Sequence, residues 1–189
     1  MDFQDIFVFH KDALQKAAET YRDAYGTAEP FPHTVIDNFL PEAVAEELRA
    51  SFPRPQAIAW KDKTHEHSKK LASAREEDMP PVIRHFLLQC NSSTFLTFLE
   101  ELTGISPLIS DPHYEGGGMH QIEPGGYLDV HADFNHHHVF NLDRRLNLLL
   151  YLNKNWKEEY GGHLELWDRD MNRCVKKALP IFNRCVIFS

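Results

Sequence analysis

The run from Gln121 to Asp133, QIEPGGYLDVHAD, constrains what this chain can fold into more than any other stretch. A glycine-marked bend at Pro124, Gly125 and Gly126 feeds an alternating segment that ends in His131 and Asp133, and the alternation predicts a β-strand. Side chains at i and i+2 of a strand leave the same face with their Cα atoms about 6.5–7 Å apart, so an imidazole and a carboxylate placed there converge on one ion. His131 and Asp133 are therefore the candidate metal ligands and the candidate catalytic pair.

The triplet alone is a weak signal. A chain with 12 histidines contains about one His-x-Asp by chance, and this one has a second copy at His10, Lys11 and Asp12. That copy opens a segment with helical periodicity, where i and i+2 point about 200° apart around the axis. It cannot chelate, and it is assigned to a solvated face. His-x-Asp followed far downstream by another His is the two-histidine, one-carboxylate arrangement, which leaves three coordination positions of iron open for a cosubstrate and dioxygen. Here the second His is the member that the spacing does not supply.

A chain of 189 residues at 42% hydrophobic and 25% charged is expected to form one domain with a substantial core. Its net charge of −8, with Lys and Arg scattered, offers no footprint for nucleic acid or an anionic membrane surface. Three cysteines, Cys90, Cys174 and Cys185, without Cys-x-x-Cys spacing fit reduced thiols in a cytoplasm and give no structural zinc site. The amino terminus lacks a basic region and a long apolar run, and no window approaches a membrane span, so a soluble, untargeted, cytoplasmic protein is expected.

Residues from about His10 to Tyr25 carry Leu14, Ala17, Ala18 and Tyr21 at helical spacing and stop at Gly26. Phe31 to Leu40 is extended and enters a helix at Pro41, with Val44, Ala45 and Leu48 on one stripe. Ser51 to Asp78, rich in Pro, Lys, Glu and His, reads as a long surface loop, and His65, Glu66 and His67 within it as exposed residues rather than a metal site. Two more apolar-striped helices are predicted over Pro80 to Gln89 and Ser92 to Leu102, their Phe-rich stripe belonging to the core. From Ile105 the character changes to short runs separated by Gly, Pro and Asn, the mark of antiparallel β structure. Leu146 to Asn153 reads as a buried central strand, Gly162 to Trp167 as an alternating one and Arg184 to Phe188 as another buried run, together a small barrel or sandwich.

The order of Gly125 and Gly126, His131 and Asp133, the strand ending Tyr151-Leu152-Asn153, Trp156, Gly161 and Gly162, and the run PIFNRCVIF to Phe188 resembles the iron(II)- and 2-oxoglutarate-dependent oxygenases of prolyl-hydroxylase type. The resemblance covers about the last seventy residues. It implies an α+β fold: a double-stranded β-helix, or jelly-roll, core flanked by N-terminal helices. The single domain then divides into a helical part over about 1–104 and a β-helix part over about 105–189. It implies Fe(II) held by His131, Asp133 and a distal His, with 2-oxoglutarate as cosubstrate. Tyr151 matches a strand tyrosine that reaches the far carboxylate of 2-oxoglutarate, and Asn147 lies on the same strand face. Gln121 stands where many relatives have a tyrosine facing the cosubstrate, and its amide would substitute in hydrogen bonding. The implied reaction hydroxylates an unactivated C–H bond of a prolyl, peptidyl or small-molecule substrate and forms succinate and carbon dioxide.

In the family a distal His and then a Lys or Arg follow the strand that matches Arg184 to Phe188. The sequence stops at Ser189, so the β-helix part is expected to lack its C-terminal end, and the chain as given is expected to hold metal and cosubstrate weakly. His163 and Glu165 form an alternating pair but are not expected to replace the ligands. His136, His137 and His138 read as an exposed polar connector closed by Arg144 and Arg145. Two alternatives stand beside the oxygenase: a non-catalytic β-helix domain that binds a ligand or protein partner, and a cupin-like metal enzyme with other ligands.

Overall fold

A computed structural model describes residues 6–62, 64 and 66–189. The first helix, α1 (Lys11–Gly26), leads into β1 (His33–Ile36) and α2 (Glu42–Ser51). Three short strands follow, β2 (Lys61–Asp62), β3 (Ser68–Lys69) and β4 (Leu71–Ser73), then the helices α3 (Pro81–Cys90) and α4 (Ser93–Thr103). The remaining strands are β5 (Met119–Gln121), β6 (Tyr127–Leu128), β7 (His136–His137), β8 (Leu142–Asp143), β9 (Asn147–Tyr151), β10 (Leu164–Trp167), β11 (Cys174–Ala178) and β12 (Arg184–Phe188).

The helices lie where their periodicity places them, and α4 carries both a start and a stop signal. Ser92 Oγ caps α4 by accepting from the Phe95 amide at 3.3 Å, and Gly104 ends it in the left-handed region at φ 72°. Phe95, Phe98, Leu99 and Leu102 recur on one face of α4 and are buried. The stripe is core: the Phe9 and Phe95 rings are 4.4 Å apart and Phe95 and Phe98 5.4 Å, with Phe39 and Phe86 around them. Arg22 Nε on α1 donates to the Glu101 carbonyl of α4 at 2.7 Å, tying the two helices at their edge.

The chain joins its two halves in one three-stranded antiparallel sheet, in the order β1-β12-β9. His33 pairs with Phe188 and Ile36 with Cys185, while Arg184 pairs with Tyr151 and Phe188 with Asn147. Alternation sorts β9 cleanly. Leu148 and Leu150 pack on the helical core, which leaves Asn147, Leu149 and Tyr151 on the opposite face.

Four expectations are corrected. The sheets are mixed with helices and antiparallel, but they are small and separate, β2-β4-β5, β3-β6, β7-β8 and β10-β11 beside the first, and the described residues form no closed barrel. β9 is the edge strand of its sheet and only half-buried, and β12 takes the centre. The stretch read as a surface loop holds three strands, of which β4 buries Ala72 and Ser73, because its partner β5 is distant in sequence and gives no local sign. His137 is not an exposed connector: it is buried, stacked on Phe140 at 4.7 Å, and accepts from the Phe140 amide.

Candidate metal centre

The run from Gln121 to Leu128 is one strand interrupted by the glycine bend, set antiparallel to the segment from Ser68 to Ser73. β5 pairs with β4, Gln121 opposite Leu71, and after the glycine bend β6 pairs with β3, Tyr127 opposite Lys69. Gly126 makes the bend possible: a Cβ there would stand 2.7 Å from the Lys69 carbonyl oxygen and 2.9 Å from that of Glu123, both backbone atoms. We expect Gly126→Ala to cost about 1–3 kcal/mol, since the strands must separate to admit the methyl group. Equal urea midpoints for the two proteins would show that β6 is not held this closely.

Beyond Leu128 the expected strand gives way. Residues 129–135 form no ladder, and their backbone is fastened by the Asp129 amide donating to the His67 carbonyl at 2.9 Å. His131 and Asp133 thus stand in an exposed extended loop, with 46% and 39% of their side chains accessible, rather than in a barrel mouth. They still converge. His131 Nε2 lies 3.7 Å from Asp133 Oδ1. His131 Nδ1 lies 2.7 Å from the Asp129 carbonyl oxygen, which only accepts, so Nδ1 carries a proton and Nε2 is the nitrogen turned to the carboxylate.

Two cations face Asp133. Arg144 Nη1 is 3.5 Å from the same Oδ1, and Arg144 Nη2 donates to Asn147 Oδ1. The Arg144 guanidinium also lies over the Phe134 ring, 4.5 Å from its centroid. Lys70 is the second: burial lowers its affinity for a proton, and the Asp133 charge opposes that shift. Arg144 therefore links a predicted ligand to a predicted cosubstrate residue. In the sequence Arg144 marks only the end of a polar loop, and no spacing rule connects Asp133 to Asn147.

Tyr151 follows Asn147 by four residues on the same face of β9, and burial pushes its phenol up to about 12, with Cys185 adding to the shift. It is a neutral hydroxyl donor at any ordinary pH. Gln121 Oε1 is buried with no hydrogen-bond partner among the described residues, a cost that a ligand could relieve. His163 is engaged elsewhere, its Nε2 2.8 Å from Glu158 Oε1, and Glu165 is taken by Lys177 and the Trp167 indole. His10 and Asp12 stand exposed at the start of α1. His65 lies outside the described residues, and His67 contacts Asp129 at 3.2 Å.

Ligand bonds of about 2.1 Å at a right angle put two donors about 3 Å apart, so the His131 and Asp133 atoms need to close by less than 1 Å. The pair fits one edge of a coordination sphere. Among the described residues no group of three or more His, Cys, Asp or Glu side chains gathers into a metal-binding cluster. Large apolar side chains, Val130 and Phe134, stand exposed on either side of the pair. Residues 117–189, the stretch that carries Gln121, His131, Asp133, Asn147 and Tyr151, match the family model described as the 2OG-Fe(II) oxygenase superfamily, and in this part the chain is similar to those enzymes.

Proposed function

We propose that the protein is an iron(II)- and 2-oxoglutarate-dependent dioxygenase of prolyl-hydroxylase type that hydroxylates a C–H bond of a prolyl, peptidyl or small-molecule substrate. The observation that carries the reading is the convergence of His131 Nε2 and Asp133 Oδ1 at 3.7 Å, with the imidazole tautomer set by the Asp129 carbonyl, inside the segment that matches the superfamily. Iron and 2-oxoglutarate, when bound, would supply the oxidising chemistry with dioxygen as the oxidant, one oxygen atom ending in succinate as carbon dioxide leaves and the other in the hydroxylated product.

The chain's own residues bind and orient. Asp133 contributes the negative charge, and His131 the Nε2 nitrogen already turned to it. Tyr151 donates its hydroxyl proton to a carboxylate of the cosubstrate, which it can do because burial keeps the phenol protonated. Asn147 fixes the Arg144 side chain, and the Gln121 amide, turned by half a rotation, presents its two donors where its oxygen has no partner. The jelly-roll core and a cytoplasmic setting complete this reading.

Tyr151→Phe removes one charge-assisted hydrogen bond, so we expect 2-oxoglutarate affinity to fall about tenfold while the fold is kept. Because the phenol titrates near 12, the wild-type affinity should show no loss attributable to this residue between pH 7 and pH 10. A break in affinity below pH 10 that Tyr151→Phe abolishes would contradict the assigned role. The test of the whole reading is conversion of 2-oxoglutarate to succinate by the full-length protein with and without Fe(II). Absence of both turnover and Fe(II)-dependent cosubstrate binding would leave the second reading, a binding domain without turnover, which the two-donor set among the described residues favours.

A further inference from the structure

We propose that Arg144 is an internal counter-ion for the ligand pair: its guanidinium holds Asp133 Oδ1 in the place of a metal and yields that oxygen when a divalent cation binds. The proposal rests on the metal reading of His131 and Asp133.

One oxygen serves both partners. Asp133 Oδ1 is 3.7 Å from His131 Nε2 and 3.5 Å from Arg144 Nη1, so an ion that joins the imidazole to the carboxylate must bind beside a fixed positive charge. The charge is fixed by contacts that do not involve Asp133. Arg144 Nη2 donates to Asn147 Oδ1, the guanidinium is seated over Phe134, and its backbone amide donates to the Asn135 carbonyl at 2.9 Å. The Gly116 backbone closes in from the far side: a Cβ on Gly116 would stand 3.4 Å from Arg144 Nη1 and 2.7 Å from the Phe134 ring. Arg144 is therefore caged, and only 20% of its side chain is accessible.

Such a cation does two things. Without metal it neutralises Asp133 and keeps the loop over residues 129–135 next to β9, so His131 and Asp133 stay paired. With metal it stays within a few ångströms of the ion and repels it, while the half-exposed setting screens the repulsion only in part. Lys70 and His131 are the other groups that feel the Asp133 charge.

The role predicts a sign that a purely structural residue would not give. In Mn(II) titrations followed by calorimetry, Arg144→Gln keeps a planar amide for Asn147 and removes the charge, and affinity should tighten about 3–10-fold. Arg144→Lys keeps the charge and should stay within about twofold of wild type. Weaker or unchanged binding by a folded Arg144→Gln would overturn the proposal. A second measurement needs no variant: in NMR titrations of the wild-type protein with Zn(II), the Arg144 Nε–H resonance should move with the His131 ring resonances along one saturation curve. A His131 shift without an Arg144 shift refutes the counter-ion and leaves the metal reading standing. No shift at either residue ends both.

Discussion

Asp133→Ala is expected to abolish succinate formation by the full-length protein and to weaken Fe(II) binding by at least about 100-fold, more than the 10–100-fold that loss of an outer-shell partner costs at a metal site. Asp133 is the one carboxylate that the structure brings to His131, and among the described residues no other acidic side chain joins the pair. Its removal takes away the anionic donor and also leaves Arg144 without an opposite charge, so the substituted site is more positive as well as short of a ligand. A direct internal control exists. Asp12 completes the same three-letter pattern after His10, yet it lies exposed in the first turn of α1, and Asp12→Ala should leave turnover and metal binding at wild-type values. The pair of assays separates a site from a sequence coincidence. Turnover retained by Asp133→Ala in a metal-defined assay, or lost in Asp12→Ala, would remove the assignment.

What could be seen in the sequence follows the range of the forces involved. The four helices were legible because their signals are local: an apolar stripe at helical spacing, Ser92 before α4 and Gly104 after it. The convergence of His131 and Asp133 was legible for a similar reason, since two residues separated by one share a face in any extended backbone, ladder or not. The strands between Lys61 and Ser73 were not legible, because β4 exists through β5 and β3 through β6, partners that lie far along the chain. Strand order was hidden for the same reason. Leu148, Leu149 and Leu150 have the composition of a central strand, but β12 lies between β9 and β1, and nothing in the letters of β9 records that. Arg144 marks the deepest limit. Asp133 and Phe134 reach it because β7 pairs with β8, His136 opposite Asp143, and neither two-residue strand is long enough to leave a pattern in the sequence.

Asn183→Ala is expected to be the most damaging single change to stability, at about 3–7 kcal/mol, because one small side chain closes the corner where the two halves of the chain meet. Asn183 is 2% accessible, and its amide grips Leu40 from both sides: Oδ1 accepts from the Leu40 amide at 2.9 Å, and Nδ2 donates to the Leu40 carbonyl at 2.8 Å. Its backbone does the same work for two other segments, the carbonyl accepting from the Phe39 amide at 3.1 Å and the amide donating to the Tyr151 carbonyl at 2.8 Å. Alanine would strand a donor and an acceptor of the buried Leu40, at about 1–3 kcal/mol each. It would also sit at φ 58°, a left-handed conformation that asparagine tolerates better than alanine does, for about 1 kcal/mol more. Glycine separates the two costs, since it loses the same hydrogen bonds without the strain, and Asn183→Gly should be about 1 kcal/mol less harmful than Asn183→Ala. For a protein whose total stability is about 5–15 kcal/mol, the loss should lower the urea midpoint sharply, with most of it shared by both variants. The Tyr151 carbonyl is held by the backbone amide of residue 183, which alanine keeps, so folded Asn183→Ala protein should bind 2-oxoglutarate as the wild type does. A loss of less than about 1 kcal/mol would mean that water replaces the amide at Leu40, and that the corner is held by the strand pairing of β12 with β1 and β9 alone.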